Sequence, residues 1–436
     1  MKNRYGLRPP SNRRGALFAC LLAASLPAAS SVAEALEPVE LTLEQALEHA
    51  FRESPAVAAR RAELRQAEAR LLAARTYPFN PEIELARGDR RGPGGSSTDR
   101  TLGISQEIEI AGQRGKRKGV ATAALGAVRS GFEREQRLLA ANVELAFTDA
   151  LRTRELLGIA DADVELARQL LRFSERRLEA GAGTQVELNL ARATAGQAER
   201  ALRLGQSAEA MARNRLAELV GLPAERGLGR VSGELEVRED ELPGLEPLVS
   251  RALENRADLA ALRQQTESAQ REIRLSKALA IPNLRLGIFY DEEEGTDDIK
   301  SIGLALPIPL FNRNQGEVAE ARAEVERLSA EGSVAALAVR REVADALASY
   351  TFARQATAAL EELVVGTLED NLALLRQALD AGKINTSDVV VFRRELVEGR
   401  RQFIEALFEA EAARIALDLA TGSTPVPTTS DPETLP

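Results

Sequence analysis

The sequence of 436 residues has no tryptophan, one cysteine, one histidine and two methionines, and aromatic residues make up only 4% of it. A structural zinc site takes about four Cys or His ligands, and most nucleophilic triads need a His beside Ser or Cys, so these shortages exclude both classes. His49 stands alone in a helical run and reads as an ordinary helix residue. No excess of cations is present either. Lys and Arg number 57 against 66 Asp and Glu, a net charge of −9, whereas sequence-independent nucleic-acid binding needs a dense cationic face. After Ala33 there is no run of 18 apolar residues, so no transmembrane helix is expected there, and any passage through a membrane has to be made by strands.

What is abundant is Ala, Leu and Val, which carry most of a 44% hydrophobic content and suit long helices packed closely through small side chains. At the amino terminus Lys2, Arg4, Arg8, Arg13 and Arg14 precede an apolar stretch from Gly15 to Leu26 and small residues ending at Ala33. That pattern predicts a secretory signal over 1–33. The alternative is a lipoprotein-like box, Leu17-Phe18-Ala19-Cys20, with cleavage before Cys20. Cleavage after Ala33 removes Cys20 and lowers the cations from 57 to 52 against 66 acids, a net charge of −14. One His, Met211 and no Cys remain, too few soft ligands for a metal relay.

The chain repeats itself at a spacing of about 200 residues. Thr101–Ile110 falls on Ser301–Leu310, Pro81–Leu85 on Pro282–Leu286, Leu178–Gly181 on Leu379–Gly382, and Gly221 on Gly422. A first repeat over 34–222 and a second over 248–422 are expected. Between them lies an irregular linker, 223–247, rich in Gly and Pro, and a flexible tail follows at 423–436. Apolar residues alternate over about 81–90 and 101–110, and again over about 282–291 and 300–310. Each run predicts a strand of the length that a tilted barrel strand needs to cross a bilayer. The other reading is a half-buried soluble sheet. Four strands leave open edges, which lipid does not tolerate, so a barrel requires several chains. Polar loops are expected at Arg87–Arg100 and Asp291–Asp298. The cations Arg114, Lys116, Arg117 and Lys118 read as a solvated helix start near the membrane surface.

Heptad spacing through Val143, Ala150, Leu157, Val164, Leu171 and Leu178, and through Val389, Leu396, Phe403 and Ala410, predicts antiparallel coiled-coil hairpins over about 117–220 and 315–421. The outgoing helix Arg117–Ala180 would run about 96 Å and its return Gln185–Val220 only about 54 Å. The helix Pro55–Tyr77 has about the missing length and can stack end to end on the return helix, with a waist at the junction.

A signal peptide, a duplicated strand pair and two long helical hairpins together resemble the TolC family of trimeric outer-membrane factors. Within that family, Ser105–Gly115 and Pro307–Gly316 look like the CzcC/CusC-type branch, the outer-membrane partners of heavy-metal exporters. The resemblance implies a mainly α fold with a transmembrane β-barrel portion. Three protomers would form a 12-stranded barrel in the outer membrane, continued by an α-helical tunnel across the periplasm. It implies a passive exit duct and no enzyme, with no catalytic residue and no cofactor. Its partners would be a homotrimer, a periplasmic adaptor, an inner-membrane RND-type pump and outer-membrane lipid. It places Gly181, Gly183, Thr184, Gly382, Lys383 and Asn385 at adaptor-contacting tips, and Glu187 and Asp388 at a periplasmic gate. Leu190 and Val391 stand where the family often has a second acid. The dipole of a new helix start accounts for Glu187 and Asp388 equally well. Multidrug efflux or type I secretion through the same duct is the alternative function. A soluble periplasmic coiled-coil adaptor is the alternative of another class.

Overall fold

The computed structural model describes residues 41–425, apart from 93–94, 223–228, 239–241, 294–296 and most of 363–385. The expected leader, nearly all of the expected tail and the tip residues Gly382, Lys383 and Asn385 lie outside the described residues. In chain order the first repeat contains α1 (Leu43–Glu53), α2 (Pro55–Arg75), β1 (Glu82–Gly92), β2 (Gly95–Ile108), α3 (Gln113–Glu179) and α4 (Gln185–Val220). The second contains α5 (Leu245–Asn255), α6 (Ala257–Leu279), β3 (Leu284–Glu293), β4 (Asp297–Ala305), α7 (Gln315–Leu360) and α8 (Thr386–Thr421).

Local chemistry explains the breaks. Pro55 has no N–H and holds Ser54 extended at ψ 122°, so α1 ends there and α2 begins with a proline where one is tolerated. The long helices α3 and α7 start after a residue in the left-handed region, Gly112 at φ 68° and Asn314 at φ 57°. The next residue is a glutamine in both cases, and its side chain folds back to accept from the backbone. Ala111 N–H donates to Gln113 Oε1 at 2.9 Å, and Arg313 N–H donates to Gln315 Oε1 at 2.8 Å. The duplication thus extends to single hydrogen bonds at the strand-to-helix joints.

α3 has 67 residues, about 100 Å of helix, and organises the rest. It packs against α2 and α6, and against α4 and α8, while α7 packs along α6 and α8. α4 ends at Gly221, where a side chain would run into Glu53 at the end of α1, just before α2 starts. α8 ends at Gly422, where one would meet Asn255 and Arg256 at the junction of α5 and α6. Each return helix therefore abuts the start of a shorter helix, and the two share the long helix as a common rail.

Around each joint lies an apolar core. Ala46, Ala50 and Phe51 of α1 pack with Val143, Phe147 and Leu151 of α3 and with Leu216 and Val220 of α4. Leu248, Val249 and Ala252 of α5 pack with Val339, Val343 and Tyr350 of α7 and with Leu417 of α8. Alanine at so many of these positions lets helix axes approach closely. Within the linker, Arg154 of α3 donates to the carbonyls of Val231 and Gly233, each at 2.8 Å, and Tyr350 of α7 donates to that of Arg238.

The four strands form one antiparallel sheet in the order β1-β2-β3-β4, and the central pair β2–β3 joins the two repeats. Within the expected loops Arg87–Arg100 and Asp291–Asp298 the described residues are instead paired strand. β1 and β2 stay in register from Glu82↔Ser105 out to Gly92↔Gly95, and β3 and β4 out to Glu293↔Asp297. Loss of apolar alternation does not end a ladder whose polar side chains pair across it. Arg90 meets Asp99 at 3.0 Å and Glu293 at 3.2 Å. β4 stops at Ala305, short of the expected Leu310, because Pro307 and Pro309 offer no N–H to a neighbouring strand.

Candidate functional site

The register gives the sheet two chemically opposite faces. On one, Ile83, Ile104, Ile288 and Ile302 sit side by side across all four strands. The next row toward the hairpin tips is Leu85, Leu102, Tyr290 and Lys300, and beyond it come Arg87, Arg100, Glu292 and Asp298. Most of the apolar side chains are bare in the single chain, with Ile302 at 78% exposure and Leu85 at 77%. An exposed apolar band of this size marks a surface made for lipid or a partner.

The other face carries seven carboxylates, Glu82, Glu84, Asp99, Glu107, Asp291, Glu293 and Asp297, against Arg90 and Arg285. Arg285 approaches Glu82 at 3.5 Å and Glu107 at 3.9 Å, and Thr101 donates to Asp291 at 2.6 Å. Each cation is outnumbered, so the face keeps a net negative field.

Where strands become helices, the basic run turns out to be structural. Arg114 donates to the Arg75 carbonyl at 2.8 Å, Lys116 to that of Ala111 at 2.6 Å, and Arg117 forks onto Glu109. Three of the four cations expected to be solvated thus tie the joint, because the last turn of α2 and the bend before α3 leave carbonyls without a helical partner. Gln113, 1% exposed, reaches from this joint to the Ile281 carbonyl and the Asn283 side chain of the second repeat.

At the far end of α3 the chain reverses through Gly181, whose φ of 70° is open to glycine without a Cβ penalty. Gly183 sits against the backbone of Arg177 and Leu178. Thr184 and Glu187 form a capping box: Glu187 N–H donates to Thr184 Oγ1 at 3.2 Å, and Thr184 N–H donates to Glu187 Oε2 at 2.8 Å. The Glu187 carboxylate therefore caps α4, and Asp388 occupies the first turn of α8. Leu170, Ala191 and Val389 share one buried cluster, which brings the starts of α4 and α8 to the same end of the bundle.

Among the described residues no helix is long and apolar enough to cross a membrane, and no group of His, Cys, Asp or Glu is placed to hold a metal ion. The family described as outer membrane efflux protein matches residues 46–222 and 248–423, one match per repeat. The chain belongs to this family. As an efflux protein of the outer membrane it conducts rather than catalyses, and family members work in tripartite systems with an adaptor and an inner-membrane pump. It is 26% identical to the cobalt-zinc-cadmium resistance protein CzcC of Cupriavidus metallidurans over 88% of this chain and 90% of that one. It is 28% identical to the pyoverdine export outer membrane protein OpmQ of Pseudomonas putida over 65% of each. Among solved structures, VceC of Vibrio cholerae superposes with a TM-score of 0.69 at 20% identity, covering 87% of this chain and 96% of that one. CusC superposes at 0.72 and 18% identity, covering 88% and 93%. The resemblance read from Ser105–Gly115 and Pro307–Gly316 agrees with both the CzcC and the CusC similarity.

The sequence reading did not find the buried side chains that pin the repeats together. Arg393 of α8 pairs with Asp163 of α3, and Arg414 of α8 with Glu144 of α3. Burial opposes the charge on Arg414, but the carboxylates of Glu411, Glu144 and Asp418 outweigh it and raise its pKa above the usual arginine value. Sequence offers no signal for pairs more than 200 residues apart. Phe289 was also missed, although it alone puts an aromatic ring on the acidic face of β3.

Proposed function

We propose that three copies of this efflux protein close edge to edge, β4 of one against β1 of the next, into a 12-stranded barrel in the outer membrane. The helices continue it as a periplasmic tunnel, and heavy-metal cations leave through it from an inner-membrane RND-type pump and its periplasmic adaptor. The observation that carries this reading is the sheet with one apolar face, one acidic face and two open edges. Lipid accepts the first and a water-filled lumen the second, and closure alone removes the edges. A lumen rich in carboxylates raises the local concentration of cations without binding any of them tightly, as a duct requires.

The tips Gly181, Gly183, Thr184, Gly382, Lys383 and Asn385 are proposed to meet the adaptor, and Glu187 and Asp388 to ring the tunnel entrance. The first 33 residues are proposed as the export signal and 223–247 as a belt around the waist. The match to CzcC supports metal as cargo. Matches to OpmQ and to the alkaline protease secretion protein AprF of Pseudomonas aeruginosa favour organic or protein cargo, such as pyoverdine or a protease, in the same duct.

Deleting the gene in a strain without redundant channels tests the cargo. Greater sensitivity to zinc, cobalt or cadmium, with unchanged sensitivity to dyes and antibiotics, is expected. The opposite pattern transfers the assignment to organic cargo. Cross-linking of the detergent-extracted protein tests the assembly, and a species of one chain only would remove the barrel.

A further inference from the structure

In the four strands only two described residues are buried, Gly103 and Gly287, and both lie beneath the ring of Phe289. The register explains how. Gly103 stands directly across from Phe289 on β2, Gly287 precedes it by two on β3, and Gly303 stands across from Gly287 on β4. All four residues are on the acidic face.

The contacts show the attitude of the ring. A Cβ on Gly103 would overlap Cδ1 and lie 2.8 Å from Cε1. One on Gly303 would lie 2.8 Å from Cε2, on the opposite edge of the ring, and one on Gly287 would lie 2.8 Å from Cε2 and Cζ. Both edges touch backbone, so the ring lies down on the sheet. Real Cβ atoms do not approach this closely, so a methyl on Gly103, Gly287 or Gly303 forces the ring to leave its seat. Backbone blocks one side, and the only free direction is away from the sheet.

We infer that Phe289 and its three-glycine seat set the free width of the barrel: the ring closes over three strands as a flat wall, and any side chain beneath it tips the ring into the passage. This rests on the proposal that the acidic face is the lumen. In a three-fold barrel the same ring recurs three times at one height, so a change at one glycine acts on the passage from three sides. Phe289 is on this account a positioning residue of the duct wall. It needs no contact with the cargo.

The test reads the barrel alone, so that the state of the periplasmic entrance does not matter. With Cys20 replaced by Ser, Arg285→Cys places a thiol on the same face, four residues further from the hairpin tips than Phe289, about 13 Å further along the strand. Maleimides carrying polyethylene glycol tails of increasing size are added outside cells, and labelling rates are compared with Phe289 seated, displaced by Gly303→Ala or Gly103→Ala, and absent in Phe289→Ala. Displacement should slow the largest reagent that still passes by several-fold while leaving the smallest unchanged. Adding Phe289→Ala to either glycine variant should restore the rate. Equal rates for all sizes, or slow labelling that persists without the ring, would overturn the inference while the lumen assignment stands. Failure of small water-soluble maleimide to label Arg285→Cys, with labelling by a lipid-soluble one, would remove the lumen assignment and the inference with it.

Discussion

Asp163 of α3 and Arg393 of α8, 230 residues apart in the chain, form an ion pair almost closed to water. They are one rung of a seam. Arg152 donates to both carboxylate oxygens of Glu405 at 2.9 Å, and Glu144 pairs with Arg414, so partners climb one helix as they descend the other. Arg393→Ala leaves a carboxylate unpaired in a dry site, which should cost about 3–5 kcal/mol. Replacing both partners by Met and Leu should recover most of that loss, read from thermal melting of the helical signal in detergent. Equal melting of the single and double variants would show that the pair carries no buried charge penalty.

The two faces of the sheet should respond oppositely to the same charge. Ile302→Lys puts an ammonium in the central apolar row, where a lipid-facing lysine costs about 2–4 kcal/mol, and should reduce the amount recovered in the outer-membrane fraction. Ser301→Lys, one residue away on the acidic face, should insert normally. Equal recovery of both would mean that the apolar row does not face lipid.

Gln113→Ala frees the Ala111 N–H and abandons the Ile281 carbonyl and Asn283 inside a closed joint, with an expected loss of about 1–3 kcal/mol. Gln315→Ala at the duplicated position touches an exposed joint and should cost less than about 1 kcal/mol, because water replaces what the side chain provided. Denaturant unfolding of the two variants compares them, and a larger loss at Gln315 would contradict the assigned burial.

Glu272 on α6 has its carboxyl pKa raised by burial and, secondarily, by the like charge of Glu317. A raised folded-state value means that ionisation opposes folding. The penalty is absent below the unfolded value of about 4.3 and grows as pH rises through the folded one. Glu272→Gln should therefore melt higher than the parent at pH 7, and the advantage should vanish below pH 4. A variant less stable at neutral pH would show that the carboxylate has a favourable partner.

At the tips, Gly181→Trp combined with Gly382→Trp should abolish efflux while leaving the amount of inserted protein intact, since a side chain at Gly181 stands in open space. Glu187→Ala loses half a capping box, about 0.5–2 kcal/mol, too little to unfold the channel. Glu187→Ala with Asp388→Ala should change ion selectivity in a planar bilayer. Unchanged currents would leave Glu187 as a helix cap alone.

Periodicity is local, and so the helices were readable from residues in sequence. Sevenfold spacing from Val143 to Leu178 marks α3, and alternation through Leu284–Tyr290 marks β3. Counting 1.5 Å per residue was enough to expect a return helix stacked on a short one, because helix length depends on nothing outside the helix. The correspondence of Thr101–Ile110 with Ser301–Leu310, which set Gly103 on Gly303 and apolar residues at matching alternate positions, together with that of Leu178–Gly181 with Leu379–Gly382, announced the duplication. Pairing is not local. Whether Arg87–Arg100 is loop or ladder depends on a partner strand that keeps hydrogen-bonding after the apolar pattern has ended, and sequence there shows only polar residues. Arg114, Lys116 and Arg117 looked solvated because their acceptors are backbone carbonyls and one glutamate that only the folded joint brings within reach. The seam of Asp163 with Arg393 and the seat of Phe289 on Gly103, Gly287 and Gly303 exist only where distant segments meet. Composition and period determined which elements this chain makes and which face of each is apolar, whereas tertiary structure alone decided which charges are buried and which ring lies flat, because those depend on distances that no one-dimensional pattern contains.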